Sequence, residues 1–290
     1  MGIYKFIDTL FGKIFSDTNQ KTVERYTLWF SISGFIIHLI LIYAKKYELF
    51  HTPFEASLLD DPISAIYTPF SIILVYEIYL LVFYLPRSFT TAVSKQFEII
   101  SLIIIRRIFG DIPKIQLDSP WLETPANTQL IYDLICILLL YFLIYLFNVR
   151  RDKNPVRAEN PKVNYFISSK KGVSLILLPV LIITSIYSVS KWLFDLFSLS
   201  SSGGGNISDI NSIFYNEFFT ILILADVFIL LLSFQYTERY SQLIRNTGFV
   251  ICTILIRLSF GTYGLTNVLL IVSSVVFGLL ILRIYQAIEK

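Results

Sequence analysis

The chain has 290 residues, of which 55% are hydrophobic and 16% are charged, and its mean hydropathy is +0.66. Soluble domains are about half apolar and about a quarter charged, so this composition excludes a soluble globular protein. The net charge of +3 is small, and without a basic stripe we expect no nucleic-acid partner. Cys136 and Cys252 are far apart inside apolar stretches, so they predict neither a disulfide framework nor a CxxC metal site.

Residues 1–25 begin the chain with an amphipathic segment. Apolar residues recur at helical spacing from Ile3 to Phe15, and charged residues such as Lys5 and Asp8 fall between them. This pattern is not that of a secretory signal peptide. We interpret it as a helix that lies on the membrane surface; the alternative is a helix that packs against the protein's own transmembrane helices.

Eight apolar runs follow, each separated from the next by polar or charged residues. They span residues 28–45, 66–85, 97–109, 128–149, 173–197, 214–234, 247–261 and 264–284. A helix needs about 20 residues to cross about 30 Å of hydrocarbon, so each run is a candidate transmembrane helix. The third and seventh runs are short and contain Arg106, Arg107 and Arg257, so hydropathy alone does not identify them as spans.

The distribution of charge favours eight crossings. Cytoplasmic loops collect Lys and Arg, and eight crossings with both termini inside place most of the 24 basic residues on that side. The outer segments 48–61 and 111–123 then carry mainly acidic charge. If the third run did not cross, the basic linker 151–171 would lie outside. We therefore expect a multi-pass protein of the plasma (inner) membrane with both termini in the cytoplasm.

The two halves of the chain resemble one another. Residues 70–110 align with residues 219–261 when two residues are inserted between the helices. The matched positions include acidic, basic and aromatic residues: Glu77 with Asp226, Arg106 with Arg257, and Phe109 with Phe260. Each half holds four helices, an even number, so both halves enter the membrane in the same sense and the repeats are parallel.

These patterns predict an all-α integral membrane fold with eight transmembrane helices. The amphipathic segment 1–25 precedes two tandem four-helix bundles, residues 26–150 and residues 172–290. The basic cytoplasmic linker 151–171 separates the bundles, and Pro155 and Pro161 discourage helix within it.

Charged side chains inside the apolar runs are the candidate functional residues. A charge at mid-bilayer costs on the order of 3 kcal/mol, so such residues face partners or water. The second and third helices of each half are antiparallel neighbours, so an acid on one can meet a base on the other. We expect one ion pair per half: Glu77 with Arg106 or Arg107, and Asp226 with Arg257. These pairs either hold the helices together or line an ion or proton pathway.

Other polar residues within the apolar runs are weaker candidates for a functional role. His38, Glu98 and Ser101 are additional polar residues that could line a path. His38 has no second ligand residue, which favours a hydrogen-bonded packing role. Asp133, near the outer end of its helix, either lines a vestibule or is solvated, and we favour the solvated interpretation. The sequence has no catalytic motif and no clustered Cys and His, so we expect neither an enzyme nor a bound metal or cofactor.

The second helix of each half resembles the second helix of voltage-sensor domains in the voltage-gated ion-channel superfamily. The resemblance rests on Phe70–Glu77 and Phe219–Asp226, and the linker Arg87–Phe89 with residues 97–103 is similar to that family's linker and third helix. In the family, the acidic residue stabilises arginines at every third position of the fourth helix. Here the fourth helices lack that series, and Arg106 and Arg107 lie on the third helix. The resemblance implies a four-helix bundle in each half.

We therefore expect a multi-pass membrane protein involved in ion movement or its gating, either channel-like or voltage-sensor-like. The alternative is a non-conducting membrane scaffold or effector subunit that acts through protein partners. In either case the lipid bilayer surrounds the protein, and the expected partner is a second copy or a membrane or cytosolic protein.

Overall fold

The computed structural model describes residues 2–48, 62–112, 115, 120–152, 161–200, 210–236 and 239–289. Their regular secondary structure is helical, without a β-strand, which confirms the all-α prediction for this part of the chain. The helices are α1 (Gly2–Ile14), α2 (Asp17–Lys46), α3 (Tyr67–Tyr84), α4 (Phe89–Asp111), α5 (Pro125–Asp152), α6 (Pro161–Ser200), α7 (Ile210–Tyr236), α8 (Tyr240–Ser259) and α9 (Gly264–Ile288). A short 3-10 helix, Pro62–Ile66, leads into α3.

Six segments of the described residues are long and apolar enough to cross a membrane. They are Gly2–Lys46 (which contains α1 and α2), Pro62–Tyr84, Pro125–Asp152, Asn164–Thr184, Phe218–Tyr236 and Gly264–Ile288. The prediction of a helical membrane protein agrees with these six segments. Helices α4 and α8 are not among them, since both carry arginine within their apolar stretch.

Helices α4 and α8 lie at the centre of the helix packing. Helix α4 contacts α3, α5 and α8, and α8 contacts α7, α9 and α4. Their rings Phe97 and Phe249 are fully buried and both pack against Phe147 of α5, with ring centroids 5.4 and 6.0 Å apart. The helices that carry Arg106, Arg107 and Arg257 therefore pack against several other helices, which limits the contact of these charges with lipid.

Neighbouring helices in each half follow one another along the chain. Helices α2 to α5 pack in sequence, as do α6 to α9, and the two sets meet through α5 with α9, α4 with α8, and α3 with α6. Glycines, among them Gly248 and Gly278, allow close approach of neighbouring helices. A Cβ at Gly248 would lie 2.7 Å from the side chain of Ile281, and one at Gly278 would lie 3.2 Å from the ring of Phe97.

Several helices begin earlier than their apolar runs, among them α4 and α6. Helix α4 starts at Phe89, where Ser88 accepts a hydrogen bond from the Thr91 backbone N–H, a typical N-cap. Helix α6 starts at Pro161, so residues 161–171 are helical and the expectation that Pro161 discourages helix there is wrong. Proline suits the first helical position, where its missing N–H has no partner to lose. The remainder of the predicted linker, 153–160, lies outside the described residues.

The N-terminal amphipathic helix packs on the protein, as the alternative interpretation held. Asp8 of α1 lies 2.8 Å from the Lys171 ammonium of α6, and Phe15, just after α1, stacks on Tyr79 of α3. The opposite face stays open, with Ile3 75% and Phe6 67% exposed. Residues 17–25 of the predicted segment belong to α2.

Candidate functional site

The first predicted ion pair forms between α3 and α4. The guanidinium Nη1 of Arg106 lies 3.3 Å from Oε2 of Glu77, and both residues are buried. The short connection from Tyr84 to the N-cap Ser88 returns the chain antiparallel to α3, which brings the C-terminal part of α4 beside α3. The Glu77 oxygen has the ion pair but no hydrogen bond with good geometry.

The second predicted ion pair forms between α7 and α8 and is the tighter of the two. Nη1 of Arg257 lies 2.8 Å from Oδ2 of Asp226, and the hydroxyl of Thr253 donates to the same oxygen at 2.8 Å. All three residues are buried. A charge-assisted hydrogen bond added to the ion contact stabilises a buried carboxylate more than the ion contact alone.

Aromatic stacks lie at matched positions of the two halves. Phe70 of α3 stacks on Phe109 of α4, with ring centroids 4.6 Å apart and an interplanar angle of 11°. Phe219 of α7 stacks on Phe260, immediately after α8, with ring centroids 4.9 Å apart and an interplanar angle of 16°. Residues 70 and 219, and residues 109 and 260, are paired in the sequence alignment of the halves.

Arg107 faces a different partner from its neighbour Arg106. Its Nε donates to Oδ2 of Asp133 on α5 at 2.7 Å, and its Nη2 donates to Oδ1 of Asn267 on α9 at 2.8 Å. Gln129 donates to the same carboxylate at 2.9 Å. Consecutive residues point about 100° apart around a helix, so adjacent arginines reach different helices. This group links the two halves through α4, α5 and α9.

The interpretation of Asp133 as a solvated residue is wrong. Asp133 is completely buried, because its helix turns that side toward α4. A sequence signal was present, since Arg107 lies near the end of α4 and Asp133 lies in the first part of α5, on either side of the connection between these helices. Asn267 carried no such signal, because an uncharged amide in an apolar run is common in packed helices.

The three additional polar residues make local contacts. The His38 ring hydrogen-bonds to the Thr68 hydroxyl between α2 and α3. Glu98 lies 2.6 Å from the Lys95 ammonium and accepts from the Asn148 amide at 3.2 Å. Ser101 donates to the Glu98 carbonyl of its own helix. None of these contacts involves a residue of the two ion pairs.

Lys170 of α6 is a buried cation that the sequence interpretation missed. Its side chain is enclosed, its Nζ donates to the Arg87 carbonyl in the connection between α3 and α4, and it lies 4.6 Å from the centroid of the Phe89 ring. The sequence does not distinguish Lys170 from the adjacent Lys171, since both lie in the predicted linker 151–171. Helix geometry turns one inward and the other toward Asp8.

The arrangement can hold charge inside a membrane, and it has no metal-site chemistry in the described part of the chain. No group of three or more His, Cys, Asp or Glu side chains among those residues could hold a metal ion. Cys136 and Cys252 are both buried as free thiols. Comparisons of the chain with family models, curated proteins and solved structures find no match.

Proposed function

We propose that this is a multi-pass membrane protein that moves ions or gates their movement, with its path along the buried charges between the two halves. The observation that carries the proposal is the set of charged side chains held by α4 and α8 at the centre of the helix packing: Arg106, Arg107 and Arg257 with their carboxylates Glu77, Asp133 and Asp226. Buried charge costs free energy, and within membranes it marks ion and proton paths by default.

One group of buried polar side chains crosses the contact between the halves. Arg107 is bonded to Asn267, and the Asn267 amide in turn donates to the Ser259 carbonyl. Ser259 is the last residue of α8, two positions beyond Arg257. This sequence of polar contacts supports a path for a small ion or a proton. A proton needs only hydrogen-bonded groups and water.

The proposal includes eight crossings arranged as two parallel four-helix repeats. At about 1.5 Å per residue, the 23 residues of α4 and the 20 residues of α8 are about 35 and about 30 Å long, enough to cross the hydrocarbon. Matched ion pairs and matched phenylalanine stacks in the two halves support the duplication. In this arrangement the protein lies in the plasma (inner) membrane, and both termini lie on its cytoplasmic side together with the basic linker.

The crossing number is tested by cysteine labelling from one side of the membrane. Glu123 lies between α4 and α5, and Asp152 ends α5; both are exposed. With eight spans, Glu123→Cys reacts with a membrane-impermeant maleimide added outside intact cells, whereas Asp152→Cys reacts only after permeabilisation. The opposite labelling of the two positions would contradict eight crossings with both termini in the cytoplasm.

Ion flux into liposomes that contain the purified protein tests the function. We expect flux under a voltage or pH gradient, and we expect Glu77→Gln and Asp226→Asn to reduce it, because each removes the negative charge of one buried pair. Glu289→Gln is the matched control, since Glu289 pairs with the exposed Arg239 at 3.6 Å. Equal flux in all folded variants would show that the ion pairs only hold helices together.

The alternative function is a non-conducting scaffold or effector subunit with protein partners. The exposed apolar residues Ile3 and Phe6 on α1 favour it, because a helix docked on α6 presents them outward. Absence of flux for the wild-type protein under voltage, pH gradient and membrane tension would select this alternative.

A further inference from the structure

A small polar cavity lies where the two halves meet near α6. Helices α4, α6, α7 and α8 enclose it, and its polar lining residues are Gln96, Lys170, Asp226 and Thr253. Its volume of about 20 Å³ is enough for one water molecule. Every other lining residue is apolar, so a molecule bound there must find its hydrogen bonds among these four side chains.

The polar groups of the cavity match the bonding capacity of water. Oε1 of Gln96 is buried and has no hydrogen-bond partner, so it can accept a bond. The Lys170 ammonium has three donors, of which one is used on the Arg87 carbonyl. The Asp226 carboxylate can accept about four bonds. A water that accepts from Lys170 and donates to Gln96 and Asp226 makes three bonds, the usual number for buried water.

The charges around Lys170 identify Asp226 as its acidic counterpart. Asp226 of α7 lines the same cavity as Lys170, and the charges that interact with Lys170 include Asp226 and Arg245 of α8. Arg245 is turned toward the Tyr285 ring at 4.5 Å and the Asn246 amide oxygen at 3.0 Å.

The other charged residues near Lys170 on neighbouring elements have partners of their own. Lys171 pairs with Asp8 of α1, and Lys95 of α4 pairs with Glu98. The Arg87 guanidinium lies over the Phe83 ring. Asp226 is therefore the carboxylate that shares the cavity with Lys170.

We propose that Lys170 and Asp226 exchange a proton through a water molecule bound in this cavity. The Lys170 ammonium gives one proton to the water, and the water gives one of its own protons to the Asp226 carboxylate. The products are a neutral amine, water and a carboxylic acid, so atoms and charge balance without another reagent. The exchange removes the charges of Lys170 and Asp226 and their desolvation cost, while Arg257 keeps its charge beside the now neutral Asp226.

This inference deepens the proposed function and rests on it, because the exchange makes the cavity a proton-transfer site of the path. Protonation of Asp226 weakens its attraction for Arg257, the other half of the tighter ion pair. The exchange thereby couples Lys170, held against the connection between α3 and α4, to a charge pair of the second half.

The test uses Lys170→Arg in the full-length protein in lipid nanodiscs. Arginine keeps the positive charge and hydrogen-bond donors but does not release its proton. Infrared difference spectra should show the C=O band of a protonated carboxylic acid in the wild type. We expect this band to be lost in both Lys170→Arg and Asp226→Asn. Lys171→Arg is the matched control and should retain it.

A second variant tests the exchange independently of whether Lys170→Arg folds. Gln96→Leu leaves both charges in place but removes the carbonyl that orients the water, so the same band should decrease. Retention of the full band in Lys170→Arg and Gln96→Leu, or its absence from the wild type, would overturn the exchange.

The infrared readout does not depend on flux, so the two proposals fail separately. The expected band changes without flux in liposomes would support the exchange and refute ion movement. Flux in the wild type without the carboxylic acid band would refute the exchange alone.

Discussion

Breaking the Asp226–Arg257 pair should destabilise the protein strongly, and removing both charges should cost less than the two single changes together. At 2.8 Å and an effective dielectric constant of about 20, the Coulomb attraction is about 6 kcal/mol. Desolvation of both ions offsets much of this, and removal of one partner from a buried pair costs about 3–5 kcal/mol. We expect that loss for Asp226→Asn and for Arg257→Met, because each leaves one charge buried without its partner.

The double variant Asp226→Asn/Arg257→Met leaves neither charge of the pair, and its asparagine can still accept from the Thr253 hydroxyl. The double variant should therefore lose about 2–3 kcal/mol less free energy of unfolding than the two single variants lose together, a coupling typical of residues in direct contact. The double variant recovers only part of the stability, because the charge of Lys170 remains after the Asp226 carboxylate has been removed.

Reversible unfolding in mixed detergent micelles, followed by tryptophan fluorescence and circular dichroism, gives the four free energies of this cycle. Arg239→Met is the control, since the Arg239–Glu289 pair is exposed and such pairs contribute less than about 1 kcal/mol. The claim that Asp226 and Arg257 form a buried ion pair would be refuted by either of two results. One is a loss of unfolding free energy in the single variants as small as that of the control. The other is single losses that add to the loss of the double variant within about 0.5 kcal/mol.

Three further predictions follow from burial and close packing. Asp133→Asn should lower the free energy of unfolding by about 3–5 kcal/mol in the same assay, and an unchanged value would show that its arginine partner is bound elsewhere. Gly248→Ala should lower the free energy of unfolding by about 1–3 kcal/mol, because a Cβ there meets Ile281 at 2.7 Å. Gly172→Ala is the control and should be tolerated, since its Cβ meets only Ile7 at 3.6 Å. Equal thermal unfolding midpoints for the two variants would contradict the α8–α9 contact. Cys136 and Cys252 are buried, so a maleimide should label them only after denaturation, and rapid labelling of the native protein would contradict their placement.

Much of the ion-pair pattern was predictable from the sequence. An acid and a base at equivalent places in both halves, on consecutive antiparallel helices, are constrained to similar depth, and the structure brings Glu77 to Arg106 and Asp226 to Arg257. The choice between Arg106 and Arg107 was not predictable, because it depends on which neighbour each side of α4 faces. The same rotation decides that Asp133 is buried.

Composition and the lengths of the apolar runs by themselves determined that this protein is helical and belongs in a membrane. The reason is that hydrocarbon offers no hydrogen bonds, so a long apolar segment must satisfy its backbone as a helix. Tertiary structure alone decided which charges are sheltered: α4 and α8 are too polar to qualify as spans by composition, yet they lie at the centre. It also decided that Lys170 points into the core while Lys171 does not. Such facts depend on helix rotation and on packing between distant segments, which local sequence patterns do not specify.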